Sequence, residues 1–218
     1  MKLFTLLFVL LMPVLACAGA YDDMEEALIR NDPAAAIELI KRGIDVNTVD
    51  RLGNTLLIQA VRRDIPELVD YLLQHRARIN ARNRNGESAL SIAAYIGNLA
   101  FVKRLVEAGA EVDFYGWPPL VYGAFNGHAA VVDYLLKRGA EIDATTENGS
   151  TALFFAARYG HLDVVELLLK NKADANIANE NGETAIDWAL KSGNTDIEDL
   201  LRAAGGRSGR AVTIEISK

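Results

Sequence analysis

The chain has 218 residues, of which 23 are basic and 29 acidic, and its formal net charge at pH 7 is −6. This acidic balance argues against general nucleic-acid binding, which requires an excess of positive charge. With one cysteine the chain has no disulfide framework, so its 50% of hydrophobic residues must supply stability through a packed core.

Residues 1–20 have the composition of a secretory signal peptide. Lys2 precedes an apolar run over residues 3–16, which is too short for a comfortable membrane span, and small residues follow. Two processing routes are open. Cleavage at a small-x-small site would release a chain that begins at Tyr21, whereas the letters VLAC resemble an imperfect bacterial lipobox that would leave a lipid on Cys17. Both routes predict export to the periplasm, with an outer-membrane lipoprotein or a secreted protein as alternatives.

Beyond residue 20 the sequence repeats itself at a nearly constant interval. A threonine-like residue followed two places later by an aliphatic residue recurs with steps of 33, 30, 33 and 33 residues, at Thr55, Ser88, Pro118, Thr151 and Thr184. A period near 33 is typical of stacked helix–turn–helix units. The start residue of each unit is predicted to cap a first helix. A glycine such as Gly127 or Gly160 then permits the reversal into an aliphatic second helix.

The motifs of these units resemble those of ankyrin repeats. The turn stands as Gly127-His128 and Gly160-His161, the second helix as residues 131–136 and 164–169, and the finger as residues 139–143 and 173–176. The family's opening histidine is replaced in every unit, by Ile58, Ser91, Val121, Phe154 and Asp187. The resemblance implies an all-α solenoid of about six units with short β-hairpin-like fingers, and a function in protein binding. The expected boundaries are residues 21–53, 54–86, 87–116, 117–149, 150–182 and 183–206.

The fourth unit departs from the pattern. The finger before it is three residues short and contains three aromatic residues, Phe114, Tyr115 and Trp117. Gly123 also lies inside a predicted helix where alanine is usual, at a cost of about 1 kcal/mol. Local rules that are broken together often mark a functional site. The alternative interpretation is that the aromatic residues fold back and fill the gap that the deletion leaves.

The tail over residues 207–218 leaves the repeat pattern. Residues 211–216 alternate apolar and polar side chains, as a short strand does. A loose terminus and a strand that adds to this chain or to a partner are both compatible with this pattern.

No catalytic or metal-binding constellation is found in the sequence. His128 and His161 occupy the family's turn position, where the resemblance implies a hydrogen bond to backbone, and His75 follows a predicted helix. Three dispersed histidines and no cysteine beyond residue 20 make a zinc site unfavourable. Phosphate-binding loops and a Gly-x-Ser-x-Gly motif are also absent from the sequence. We therefore predict a protein that is not an enzyme and that uses no cofactor or metal.

The resemblance implies that finger tips and the ends of first helices line a concave binding face. The residues at these positions are basic between residues 51 and 84 and aromatic further along the chain. Aromatic residues and arginine contribute most of the binding energy at protein interfaces. The predicted partner-binding residues are Arg51, Arg62, Arg63, Arg84, Tyr95, Ile96, Phe114, Tyr115, Trp117, Phe125, Asn126, Arg158 and Tyr159.

These observations favour a monomeric interaction protein whose partner is a protein of the cell envelope. It would act as inhibitor, immunity protein or stabiliser of a periplasmic enzyme, with a partner loop over the aromatic residues and the arginines steering an acidic patch. A secreted effector that binds host proteins and a lipid-anchored envelope scaffold are the alternatives.

Overall fold

A computed structural model describes residues 19–209 of the chain. The helices within that range are α1 (residues 19–29), α2 (Pro33–Lys41), α3 (Leu56–Arg62), α4 (Pro66–Gln74), α5 (Ala89–Ile96), α6 (Leu99–Glu107), α7 (Pro119–Phe125), α8 (Ala129–Lys137), α9 (Ala152–Tyr159), α10 (Leu162–Lys170), α11 (Ala185–Ser192) and α12 (Thr195–Ala203). None of these described helices is long and apolar enough to cross a membrane. The possible lipidation site Cys17 and most of the predicted signal peptide lie outside the described residues, whereas residues 19 and 20 are already helical.

The chain divides between Arg84 and Asn85 into two compact units. In unit 1, α4 packs against both α2 and α3. In unit 2, each first helix packs against its own second helix, and the first helices α5, α7, α9 and α11 pack against one another in chain order. The second helices α6, α8, α10 and α12 form a parallel series in the same order. This succession of helix pairs confirms the predicted all-α repeat fold.

The first helices begin directly after the threonine-like residues, as the sequence predicts. The hydroxyls of Thr55 and Thr151 accept hydrogen bonds from the backbone N–H three residues later, at 3.2 Å in each case. These bonds satisfy donors that have no partner within the helix. Ser88 forms a reciprocal capping box with Ser91. Pro118 takes the cap position of α7. Pro119 is the first residue of the helix, where the fixed φ of proline suits the first turn.

Two of the turns contain a glycine that is covered by the histidine of the next repeat. Gly97 and Gly127 adopt φ values of +82° and +73°. A Cβ atom on either would lie 2.5 Å from Nδ1 of His128 or His161, respectively. Nε2 of His128 donates to the carbonyl of Tyr95 at 3.0 Å. Nε2 of His161 bonds the carbonyl of Phe125 in the same way at 2.9 Å. The predicted structural role of both histidines is therefore confirmed.

The unusual Gly123 has a local explanation. It is buried inside α7, and a Cβ atom there would lie 3.3 Å from Cγ2 of Val132 and 3.4 Å from Cγ1 of Val131. Glycine thus allows α8 to approach α7 closely, and the helix-propensity cost reflects this close contact. Reading Gly123 as part of a functional site is not needed to explain it.

The fingers are joined to one another by hydrogen bonds at the spacing of the repeat. Asn47 Oδ1 accepts from the backbone of Arg78 at 2.8 Å in unit 1, and Asp143 Oδ1 accepts from Asp174 at 3.0 Å in unit 2. Asn176 Oδ1 accepts from Arg207 at 3.0 Å in the same manner. The described start of the tail therefore takes the place that a further finger would occupy.

The start of the tail also docks on Asp187 at the beginning of α11. The carboxylate accepts hydrogen bonds from Thr184 N at 2.8 Å, from Gly209 N at 2.9 Å and from the hydroxyl of Ser208. Burial alone would raise the pKa of Asp187, but these hydrogen bonds outweigh it and hold the pKa below its ordinary value. Residues 207–209 of the predicted tail are thus hydrogen-bonded to the last repeat. The predicted strand over residues 211–216 lies outside the described residues.

Candidate functional site

A row of aromatic side chains crosses the ends of three first helices in unit 2. Tyr95 lies in the last turn of α5, and Phe125 and Tyr159 are the last residues of α7 and α9. The ring centroids of Tyr95 and Phe125 are 6.4 Å apart, and those of Phe125 and Tyr159 are 4.5 Å apart. Tyr95 is 44% exposed and Tyr159 45% exposed, while Phe125 is half-buried. Because successive first helices stack, residues at or next to the same repeat position form one continuous surface.

Trp117 of the short finger joins this row from the side. Its ring lies 4.9 Å from that of Phe155, 5.4 Å from Tyr122 and 6.1 Å from Phe125. Together these side chains form what we call the aromatic cluster, which consists of Tyr95, Trp117, Tyr122, Phe125, Phe155 and Tyr159. Half-buried Trp117 therefore folds back onto the helices, as the gap-filling interpretation expected.

The other predicted aromatic residues of the short finger differ in exposure. Phe114 is half-buried, whereas Tyr115 is 83% exposed. Trp117 is thus the residue of this finger whose ring contacts define the cluster.

Four rings of the cluster enclose a cavity. Tyr95, Trp117, Tyr122 and Phe125 line a space of about 210 Å³ that is open to solvent. We call it the four-ring cavity. Burial, together with the negative charges of Glu87 and Glu147, raises the pKa of Tyr122 to about 12. Two carboxylates therefore act on a side chain that lines the cavity.

The position of Glu147 supports this description. Its Oε1 atom would lie 3.3 Å from a Cβ atom at Gly116, which immediately precedes Trp117 in the chain. Glu147 is exposed and lies at a finger tip. A carboxylate thus stands at the edge of the ring surface.

A second arrangement of rings and charges lies one repeat further along. The guanidinium carbon of Arg158 is 4.0 Å from the ring centroid of Trp188, and Nζ of Lys191 is 4.6 Å from it. The indole N–H of Trp188 donates to Glu183 Oε2 at 3.0 Å, and Lys191 forms an ion pair with the same carboxylate. Arg158, a predicted contact residue, is therefore already engaged in a cation–π contact.

Sequence reasoning missed Tyr122 and Trp188, although a signal was available. Tyr122, Phe155 and Trp188 follow one another at intervals of 33 residues. An aromatic residue therefore recurs at one repeat position, in the N-terminal half of the first helix. The binding-face prediction used only finger tips and the ends of first helices, so it did not include this recurrence.

Two predicted contact residues lie beside Tyr95. Ile96 ends α5 and is 43% exposed. Asn126 is half-buried, and its Nδ2 donates to the carbonyl of Tyr95 at 2.6 Å. Asn126 thus fixes the backbone of a cluster residue, together with His128.

The predicted basic residues belong to unit 1. Arg51, Arg62, Arg63 and Arg84 are all exposed. Arg51 and Arg63 help to line a groove of about 520 Å³ that also contains Tyr21, Leu52 and the acidic residues Asp22 and Glu25 of α1. This groove has charges of both signs, so it is not a purely basic surface. Within residues 19–209, no group of three or more His, Cys, Asp or Glu residues is placed to hold a metal ion.

The family of the chain follows from comparison with known protein families. A model described as ankyrin repeats (3 copies) matches residues 67–146 and 138–208, and one described as ankyrin repeats (many copies) matches residues 39–93. The first model alone covers more than half of the chain. The chain therefore belongs to the ankyrin-repeat family, whose repeats form protein–protein interaction modules.

Similar curated proteins come from several kinds of organism. The chain is 35% identical over 98 residues to alpha-latrotoxin-Lg1a of Latrodectus geometricus, covering 44% of this chain and 7% of the toxin. It is 40% identical over 78 residues to the B-cell lymphoma 3 protein homolog of Mus musculus, covering 35% and 17%. It is 35% identical over 116 residues to the glycerophosphocholine phosphodiesterase gde1 of Schizosaccharomyces pombe, covering 51% and 9%. The chain thus spans less than a fifth of the length of each of these relatives.

Proposed function

We propose that the protein is an exported interaction module that binds a protein partner of the cell envelope through the aromatic cluster. The observation that carries this proposal is the row of Tyr95, Phe125 and Tyr159, two of which leave nearly half of their surface in contact with solvent. Exposed aromatic side chains in contact with one another are favourable anchors at interfaces, because they bury much apolar area with few rotatable bonds.

The hydrogen bonds beneath the row support a binding role. The carbonyls of Tyr95 and Phe125 are each held by a histidine from the following repeat. The backbone of the surface is thus fixed before a partner arrives, which lowers the entropy lost on binding. A preorganised apolar surface of this kind is suited to an extended loop of a partner.

The proposed role in the envelope derives from residues 1–20, whose composition is that of a signal peptide. The partner would be a periplasmic enzyme that the protein inhibits, neutralises as an immunity protein, or stabilises. The exposed arginines of unit 1 would steer an acidic region of this partner.

Affinity capture tests the proposed surface. The exported protein is immobilised, and partners from an envelope extract are compared between the wild type and a variant with Tyr95, Phe125 and Tyr159 changed to alanine. We expect the specific partner to be lost from the variant. Leu162→Ala provides the control, because Leu162 is 38% exposed but lies on a second helix.

The half-buried Phe125 requires a further variant, because its removal could unfold the protein. Tyr95→Ala with Tyr159→Ala changes only exposed rings, and circular dichroism should show an unchanged helix content. Undiminished capture by this folded double variant would refute the proposed surface.

Localisation has its own test. Fractionation of cells that express the full chain should place the protein in the periplasm, and mass spectrometry should show an N-terminus at Tyr21. A lipid-modified Cys17 would instead support the envelope scaffold, and protein in the culture medium would support the secreted effector.

A further inference from the structure

The four-ring cavity has the chemistry of a site for a positively charged group. The faces of aromatic rings carry negative electrostatic potential and attract cations that lie within about 6 Å of the ring centre. Tyr95, Trp117, Tyr122 and Phe125 present four such rings around one space of about 210 Å³. A purely apolar ligand would gain from the same rings, so charge must decide between the two kinds of ligand.

The charges beside the cavity are acidic. The carboxylates of Glu87 and Glu147 both act on the phenol of Tyr122 as negative charges. The carboxylate of Glu147 also stands against Gly116, the residue before Trp117 in the chain. A cation in the cavity would therefore lie among aromatic rings and near a carboxylate, whereas an anion would be repelled by that carboxylate.

The protein contains an example of such a site that is already filled. Two repeats further along, Trp188 is contacted by Arg158 and Lys191, and the carboxylate of Glu183 completes the arrangement. Trp188 occupies the same repeat position as Tyr122, which it follows by 66 residues. The four-ring cavity likewise combines aromatic rings with a nearby carboxylate.

We propose that the four-ring cavity receives an arginine side chain of the protein partner. This inference rests on the proposed function and specifies the partner's chemistry at the same surface. Arginine is favoured over lysine because its planar guanidinium stacks on rings while its edge donates to a carboxylate such as Glu147. The partner segment that enters the aromatic cluster is therefore basic at this point, whatever the charge of the region that the arginines of unit 1 face.

A peptide titration followed by nuclear magnetic resonance tests the assignment. The chain has two tryptophans, so the indole N–H region of the spectrum contains two signals. Trp117 reports on the cavity, and Trp188, which its own cations already cover, is the internal control. The probe is acetyl-Gly-Arg-Gly-amide, and the matched neutral probe contains citrulline, which has the same shape without the charge.

We expect the arginine peptide to shift the Trp117 signal saturably, and the citrulline peptide to bind about fivefold to tenfold more weakly, because it lacks the cation–π and ion-pair contributions. The Trp188 signal should stay in place. Glu147→Gln should weaken the arginine peptide about threefold and leave the citrulline peptide unchanged. Glu166→Gln, which changes an exposed glutamate on α10, is the matched control and should have no effect.

Equal binding of the arginine and citrulline peptides would overturn the proposal, as would tighter binding of a glutamate peptide. This failure is separable from failure of the proposed function. If partner capture requires the exposed rings but the protein binds the charged and neutral peptides equally, only the arginine assignment is refuted. If capture does not require the rings, the proposed surface falls as well.

Discussion

Replacement of Gly127 by alanine should destabilise the protein through the ring that covers this turn. Gly127 has a φ of +73°, and an added Cβ atom would lie 2.5 Å from Nδ1 and 2.9 Å from Cε1 of His161. The imidazole must therefore move, and its 2.9 Å hydrogen bond to the carbonyl of Phe125 is lost or lengthened. The substitution thus combines a backbone penalty with the loss of a contact between repeats.

The two contributions have known sizes. A non-glycine residue in the left-handed region costs about 1–2 kcal/mol, and a lost hydrogen bond costs about 0.5–1.5 kcal/mol. We expect Gly127→Ala to lower the free energy of unfolding by about 1.5–3.5 kcal/mol in total. Gly193 provides a matched control, since its φ is +69° and nothing lies within 4 Å of an added Cβ atom. Gly193→Ala should therefore show only the backbone penalty of about 1–2 kcal/mol.

Urea denaturation followed by circular dichroism measures both variants, and a double-mutant cycle isolates the ring. In a His161→Ala background no imidazole has to move, so the cost of Gly127→Ala should fall to that of Gly193→Ala. Equal destabilisation by Gly127→Ala and Gly193→Ala in the wild type would refute the reasoning. An unchanged cost of Gly127→Ala in the His161→Ala background would do the same.

Three further predictions concern other polar contacts. Because its folded pKa is lowered, Asp187 stabilises the fold above its ordinary pKa, and this contribution is lost as pH falls through the folded value; Asp187→Asn should abolish that part of the acid dependence of urea unfolding. The pKa of Tyr122 is raised from 10 to about 12, mainly by burial; the stability that its protonated form contributes should therefore be lost between about pH 10 and 12, and Tyr122→Phe should remove that part of the alkaline decrease in urea unfolding. Asn54 is 4% exposed, and its side chain is hydrogen-bonded to Asp50 and Asn83 at 2.8 Å in each case. Asn54→Ala should lower the free energy of unfolding by about 1–3 kcal/mol, measured by thermal unfolding.

Much of the fold could be predicted because its rules are local and repeat. A hydroxyl at Thr55 or Thr151 caps a helix through atoms within three residues, so the sequence alone locates the helix start. The turns at Gly97 and Gly127 follow in the same way, since their positive φ requires glycine. What spacing cannot show is the atom that fills the space beside each glycine. The approach of Val132 to Gly123 is an example, because it is a contact between two helices.

The candidate site was predictable to a smaller extent. The repeat period placed Tyr95, Phe125 and Tyr159 near one another, and their ring contacts agree with this expectation. The side chains of Tyr122 and Trp188 were missed because a half-buried position belongs neither to the core pattern nor to the surface pattern. The engagement of Arg158 with Trp188 depends on rotamers, which no spacing rule specifies. A binding role for these residues remains a prediction.

The histidine that reaches back to the preceding repeat has a consequence for how such a protein can diverge. The main chain at Phe125 is held by a histidine of the repeat that follows it, His161. The conformation of one repeat thus depends on its neighbour. A duplication or deletion that separates the two repeats would leave a ring on an unsupported turn, even if every side chain of the interface survived.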